Sequence, residues 1–166
     1  MDVIEMESWH DFAVASAGAA GALAGLIIVA VSVNVKEIIA GSALPARAGA
    51  TIASVVLIVV SGIAMLIPRQ TALALGSELV VFALIALGLQ LDSTIRTFAF
   101  KDPAVSVNKK IGQAVFGFGQ LVLVLIGGIV VLAGSPGGLY WVASGFIVIF
   151  IVSVLNAWVL MVEILR

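Results

Sequence analysis

The chain has no cysteine, a single histidine, and charge on only 10% of its 166 residues. Without cysteine there is no disulfide framework, no thiolate nucleophile and no sulfur-ligated metal. With His10 as the one imidazole, neither a histidine-based metal site nor a Ser/His dyad can be built within one chain. The eight Lys and Arg are scattered and the net charge is -1, whereas a phosphate-binding face needs clustered cations, so no nucleic-acid partner is expected. Neither Gly-x-Ser-x-Gly nor GxxxxGK[ST] occurs, and no paired carboxylates offer acid–base work. The chain does not read as an enzyme, and no cofactor or metal is expected.

What the chain has in quantity is apolar length. Hydrophobic residues make up 63% of it and the mean hydropathy is +1.29, against roughly 45–50% apolar and 25% charged residues in a soluble domain. This is the composition of an integral membrane protein. A helix needs about 20 apolar residues to cross the hydrocarbon layer, and residues 12–35, 48–67, 72–91, 111–133 and 139–162 each supply such a run. The expected fold is therefore all-α, a transmembrane bundle of five spanning helices forming one domain over residues 1–166. The breaks suit that division: Pro45 in GSALPAR stands near a helix start, IPRQT makes a tight turn, and GSPGG at 134–138 cannot stay helical.

The third span admits two starts. If it begins at Ala72, Glu78 lies inside the hydrocarbon, with Arg69 and Gln70 as pairing neighbours, and is a functional-site candidate. If Ser77 is the N-cap, the membrane part runs through Gln90 toward Phe100 and Glu78 is a first-turn acid complementing the helix dipole. The second reading is favoured.

The N-terminal MDVIEMESWHDF carries no Lys or Arg, so it lacks the basic region of a cleavable signal peptide, and Met1 is expected to be the mature start. With odd-numbered spans running inward, Lys36, Arg47, Arg96, Lys101, Lys109, Lys110 and Arg166 fall on one side and only Arg69 on the other. Because the cytoplasmic side collects Lys and Arg, this predicts an outside N-terminus, a cytoplasmic C-terminus and a cytoplasmic loop over residues 92–110. Trp9, Tyr140 and Trp141 then sit at the outer interface, and Trp158 and Phe98 near the inner one. VSVN occurs at 31–34 and again at 105–108, each time followed within two residues by Lys. The two copies enter and leave the same interface in opposite chain directions, so they read as two similar environments in which Lys reaches the headgroups, and a duplication is not inferred.

Helices in lipid associate through close backbone approach and interhelical hydrogen bonds. In the first span Gly18, Gly21 and Gly25 share a side with Ala22, while Ser16, Ala20 and Ala24 make a second row, which fits a central helix or a subunit contact. Elsewhere polar residues stand seven apart on one face: Ser54 and Ser61, Gln113 and Gln120, Asn156 and Glu163. Gly117 and Gly127 accompany the Gln face. Those faces are expected to point inward, as contacts between helices in the first place and as a polar pathway in the second. Asn34, Gln90, Asp92, Gln113, Asn156 and Glu163 should form a polar layer toward the cytoplasm, with Gln120 deeper and Asp92–Arg96 as a structural pair at the membrane edge.

GLIIVAVSVN at 25–34, LPARAGA at 44–50 and LIPRQ at 66–70 resemble a group of small bacterial polytopic membrane proteins over about the first third of the chain. The resemblance implies a bacterial plasma (inner) membrane and no activity, and it carries no functional residues with it. Two functions are in view. One is a homo-oligomer that gives a small ion or solute a permeation route, since a 17.0 kDa bundle has little room for an aqueous path of its own. The other is a non-catalytic accessory or scaffold subunit that docks a larger membrane complex through its small-residue faces. The partners expected are thus the lipid bilayer and either further copies or that complex. A lipid or other apolar ligand held between helices is a third possibility. The discriminating feature is whether Gln120, Asn156 and Glu78 face a wet cavity or bond to one another.

Overall fold

The computed structural model describes residues 6–40, 44–99 and 107–164. Among them all regular structure is helical. After a short 3-10 turn, Met6–Trp9, come α1 (His10–Val33), α2 (Val35–Ala40), α3 (Leu44–Met65), α4 (Ala72–Ala99), α5 (Val107–Leu132) and α6 (Gly138–Ile164). Five of these, α1 and α3 to α6, are long and apolar enough to cross a membrane.

Glycine sets where the long helices touch. A Cβ on Gly76 of α4 would stand 2.5 Å from the Leu132 Cα of α5, and one on Gly128 of α5 would stand 3.1 Å from the Leu79 Cβ of α4. The matched positions run in opposite directions, so α4 and α5 are antiparallel. Gly127 and Gly145 do the same between α5 and α6, where added Cβ atoms would meet Val142 and Val124 at 2.6 Å. Gly62 brings α3 to 3.0 Å from the Ala17 Cβ of α1 by the same measure. Such approaches give packing contacts that larger residues would hold apart. The start of α1 meets the start of α6 through aromatic rings, with Trp9 against Tyr140 at 4.9 Å and Phe12 stacked on Phe146 at 6.1 Å. Of the most apolar stretch in α3, 61% is buried, against 17% in α1. The centre of the bundle is thus α3, and α1 lies at its edge.

The helix ends have local causes. At the end of α5 the Ser135 amide donates to the Val130 carbonyl and the Gly134 amide to the Val131 carbonyl, with Gly134 at φ +85°. This is a Schellman stop, and its left-handed residue is one that glycine adopts without strain. At the other tight turn the Ala74 amide donates to Thr71 Oγ1 at 3.2 Å, so Thr71 caps α4 and the helix begins at Ala72.

That start corrects the favoured reading of the third span. Ser77 lies within the helix and donates to the Ala74 carbonyl at 2.8 Å, and Glu78 stands in the second turn. Ser77 followed by Glu imitates a start signal, but the chain is already helical there. Helix also reaches further than the expected loop over 92–110: α4 continues to Ala99, braced by the Asp92–Arg96 pair and by Thr97 donating to the Ser93 carbonyl, and helix resumes at Val107. The first long helix ends at Val33, two residues short of the expected 35, and its C-cap Asn34 donates its side-chain amide to the Ala30 carbonyl at 2.9 Å before the short α2.

Candidate functional site

The antiparallel arrangement brings one end of each of α3, α4, α5 and α6 together, and between them lies a cavity of about 410 Å³. That is within the range of about 300–1,000 Å³ in which small-molecule sites fall. Each helix gives it a polar stripe at helical spacing. Arg47, Thr51 and Ser54 come from α3, and Gln90, Ser93, Thr94 and Thr97 from α4. Lys110, Gln113 and Gln120 come from α5, and Ser153 and Asn156 from α6. Intervals of three, four and seven residues keep each set on one face. Phe98, Phe116, Ile151 and Leu155 line it as well, and each is also exposed on the outside of the bundle. The other half of the bundle is closed by Leu75, Leu79, Val131, Val142 and Phe146, all fully or almost fully buried.

Arg47 and Lys110 line the cavity, and no Asp or Glu is among the described residues that do. Both cations also interact with other groups of the chain. The hydroxyl protons are mostly committed: Thr51 donates to the Arg47 carbonyl, Ser54 to that of Ala50, Thr94 to that of Gln90 and Thr97 to that of Ser93. Their oxygens keep lone pairs for other donors. One such donor is the Asn156 amide, 3.5 Å from Thr51 Oγ1 across the α6–α3 gap. Deeper in, Gln120 Oε1 and Ser153 Oγ are buried and have no hydrogen-bond partner among the described residues. A buried polar atom left in that state costs about 1–3 kcal/mol, so water or a ligand at the cavity floor is what would relieve it.

Of the residues singled out in the sequence, Gln113, Gln120 and Asn156 meet at this cavity, together with Gln90. Gly117 lies beneath Gln90, where a Cβ would meet the Gln90 Cδ at 2.8 Å, and Gly127 lies at the α5–α6 contact. Asn34 ends α1 away from the cavity. Glu78 is half-buried at the opposite end, where its carboxylate accepts from the Gln70 amide. The side chain of Glu163 lies outside the described residues. In α1 the row of Ser16, Ala20 and Ala24 faces the bundle, whereas Gly18, Gly21 and Gly25 are exposed with nothing within 4 Å of an added Cβ. The Asp92–Arg96 bond of 2.8 Å joins two side chains that are more than half exposed, and it is outside the cavity lining. Such pairs contribute about 0–1 kcal/mol.

Sequence reasoning passed over Arg47, Thr51, Ser93, Thr94, Thr97, Lys110 and Ser153. The available signal was the repeat of polar residues at three and four across facing helix ends. No family model, curated protein or solved structure matches the chain.

Proposed function

We propose that the protein is a multi-pass component of a bacterial plasma membrane whose cavity is the cytoplasmic vestibule of a permeation route for a small solute or ion. The observation that carries this reading is the cavity itself: Gln120 and Asn156 face a shared polar space instead of bonding to each other. The cationic residues Lys36, Arg47, Arg96 and Lys110 belong to the same end of the bundle, which favours a cytoplasmic position for the mouth. The apolar plug of Leu75, Leu79 and Phe146 closes the far half of one chain, so a through-route calls for several copies or for motion of the plug. The exposed glycine face of α1 suits association with another helix, and a second copy is the economical partner. The same face would serve an accessory subunit docking a larger complex, which is the competing reading.

The test is flux of small polyols, protons and monovalent ions across liposomes containing the full chain, against empty liposomes. Flux above the empty control supports the vestibule. A membrane that stays tight under every gradient overturns it in favour of docking.

A further inference from the structure

Phe116 of α5 and Ile151 and Leu155 of α6 line the cavity, yet each is more than half exposed on the outside of the bundle. Side chains with one surface in the cavity and another on the lipid face make a wall one side chain thick. The cavity therefore reaches the flank of the bundle as well as its end. Phe116 stands about 14 Å inside α5 from its first residue. The 26 residues of α5 make a rod of about 39 Å, against a hydrocarbon layer of about 30 Å, so with α5 across the membrane Phe116 is level with acyl chains. Exposed side chains change rotamer within nanoseconds, which is enough to open such a wall to a molecule dissolved in the bilayer.

The interior selects what enters. The protons of Thr51, Ser54, Thr94 and Thr97 are tied back to carbonyls of their own helices, so these oxygens meet a ligand as acceptors. Gln120 and Ser153 line the cavity at 4% and 1% exposure, and their Oε1 and Oγ have no hydrogen-bond partner among the described residues. A ligand hydroxyl donates to oxygens of this kind and accepts in return, whereas an ester or quinone carbonyl only accepts. Arg47 and Lys110 already interact with other groups of the chain, so no charge on the ligand is called for.

We propose that the cavity is a binding site for a neutral, hydroxyl-headed lipid of the acylglycerol class. It enters from the flank, lays its hydroxyls among Thr51, Gln120 and Ser153, and leaves its acyl chain at Phe116, Ile151 and Leu155. The volume of about 410 Å³ is near the lower end of the range for small-molecule sites, which suits the head and first carbons while the rest of the chain stays in the bilayer. Such a site needs the cavity and its flank but no through-route, so it stands or falls apart from solute flux.

The absence of cysteine allows a direct test. Thr94→Cys and Ser93→Cys, each in the full chain held in phosphatidylcholine nanodiscs, are modified with neutral methyl methanethiosulfonate, and the rates are normalised to exposed Val107→Cys. 1-Oleoylglycerol should slow both interior cysteines by about tenfold at a mole fraction where methyl oleate, with the same chain and no hydroxyl, has little effect. Gln120→Leu should erase the difference between the two lipids. Equal slowing by methyl oleate would mean an apolar groove that does not recognise the head. Slowing by glycerol in the buffer would mean a site filled from water, and stronger slowing by oleate or phosphatidylglycerol an anion site. Each of these results overturns the proposal, as does a rate that no lipid changes, and all of them leave the permeation reading standing. If neither interior cysteine reacts while Val107→Cys does, the cavity is closed to small molecules, and the lipid site and the permeation route are lost together.

Discussion

The side-chain amide of Asn156 in α6 faces the hydroxyl of Thr51 in α3 across the cavity, with nitrogen and oxygen 3.5 Å apart. That length is at the outer limit for a hydrogen bond, and interhelical polar contacts in membranes contribute only about 0.6–2 kcal/mol when well made. The contact is therefore a weak tie for the fold and a prominent part of the cavity wall. Asn156→Leu should leave stability within about 1 kcal/mol of the parent, read from thermal unfolding in detergent. It should also abolish solute flux in liposomes by placing a branched apolar side chain among the polar groups. Unaltered flux would remove this wall from the route.

Glycines in this chain differ sharply in what surrounds them. Gly76 presses on the backbone of Leu132, which cannot swing aside as a side-chain tip can, whereas Gly21 has open space where a Cβ would go. Gly76→Ala should destabilise by about 1–3 kcal/mol, the usual range for overpacking. Gly21→Ala should change the stability of one chain by less than about 0.5 kcal/mol. The bulkier Gly21→Leu separates the roles of the α1 face: loss of crosslinked oligomers with the monomer still folded would identify that face as the contact between copies.

Glu78 tests the position of the route. It accepts from Gln70 at the end of the bundle away from the cavity, and a glutamine in its place can still accept that bond. Glu78→Gln should cost no more than about 1 kcal/mol in stability and should leave liposome flux unchanged. A marked fall in flux would extend the route to that end of α4.

The parts of the fold legible in the sequence were those governed by length and by chain-breaking residues. Runs of about 20 apolar residues divided by Pro, Gly and polar turns correspond to the five helices long enough to cross a membrane, because a helix satisfies its own backbone hydrogen bonds within each run. Local competition between start signals was harder to read. Ser77 and Glu78 have the chemistry of a helix start, yet Thr71 caps one turn and a half earlier because the chain has only just left the Pro68–Arg69 turn. Arg69 adopts the left-handed φ of +57° there, a conformation that composition does not announce. The cavity was legible only through Gln and Asn, whose burial is costly enough to demand a reason. Arg47 and Lys110 were absorbed into the charge count that sets orientation. Threonine and serine gave no separate signal, since a hydroxyl that bonds its own helix is as much at home against lipid as in a cavity.

Orientation is the assumption on which the cytoplasmic vestibule depends, and the fold makes it easy to check. Val107 opens α5 and Ser135 follows its far end, so if α5 crosses the bilayer they stand on opposite sides. Both are exposed and in a cysteine-free chain. Val107→Cys and Ser135→Cys should accordingly label from opposite sides in intact cells treated with an impermeant maleimide, Ser135→Cys from outside and Val107→Cys only after the membrane is opened. The reverse pattern would keep the five crossings and turn the mouth of the cavity outward, where Arg47 and Lys110 would meet solutes before they enter the cell. Labelling of both from one side would remove α5 as a crossing, and with it the four-helix enclosure that makes the cavity.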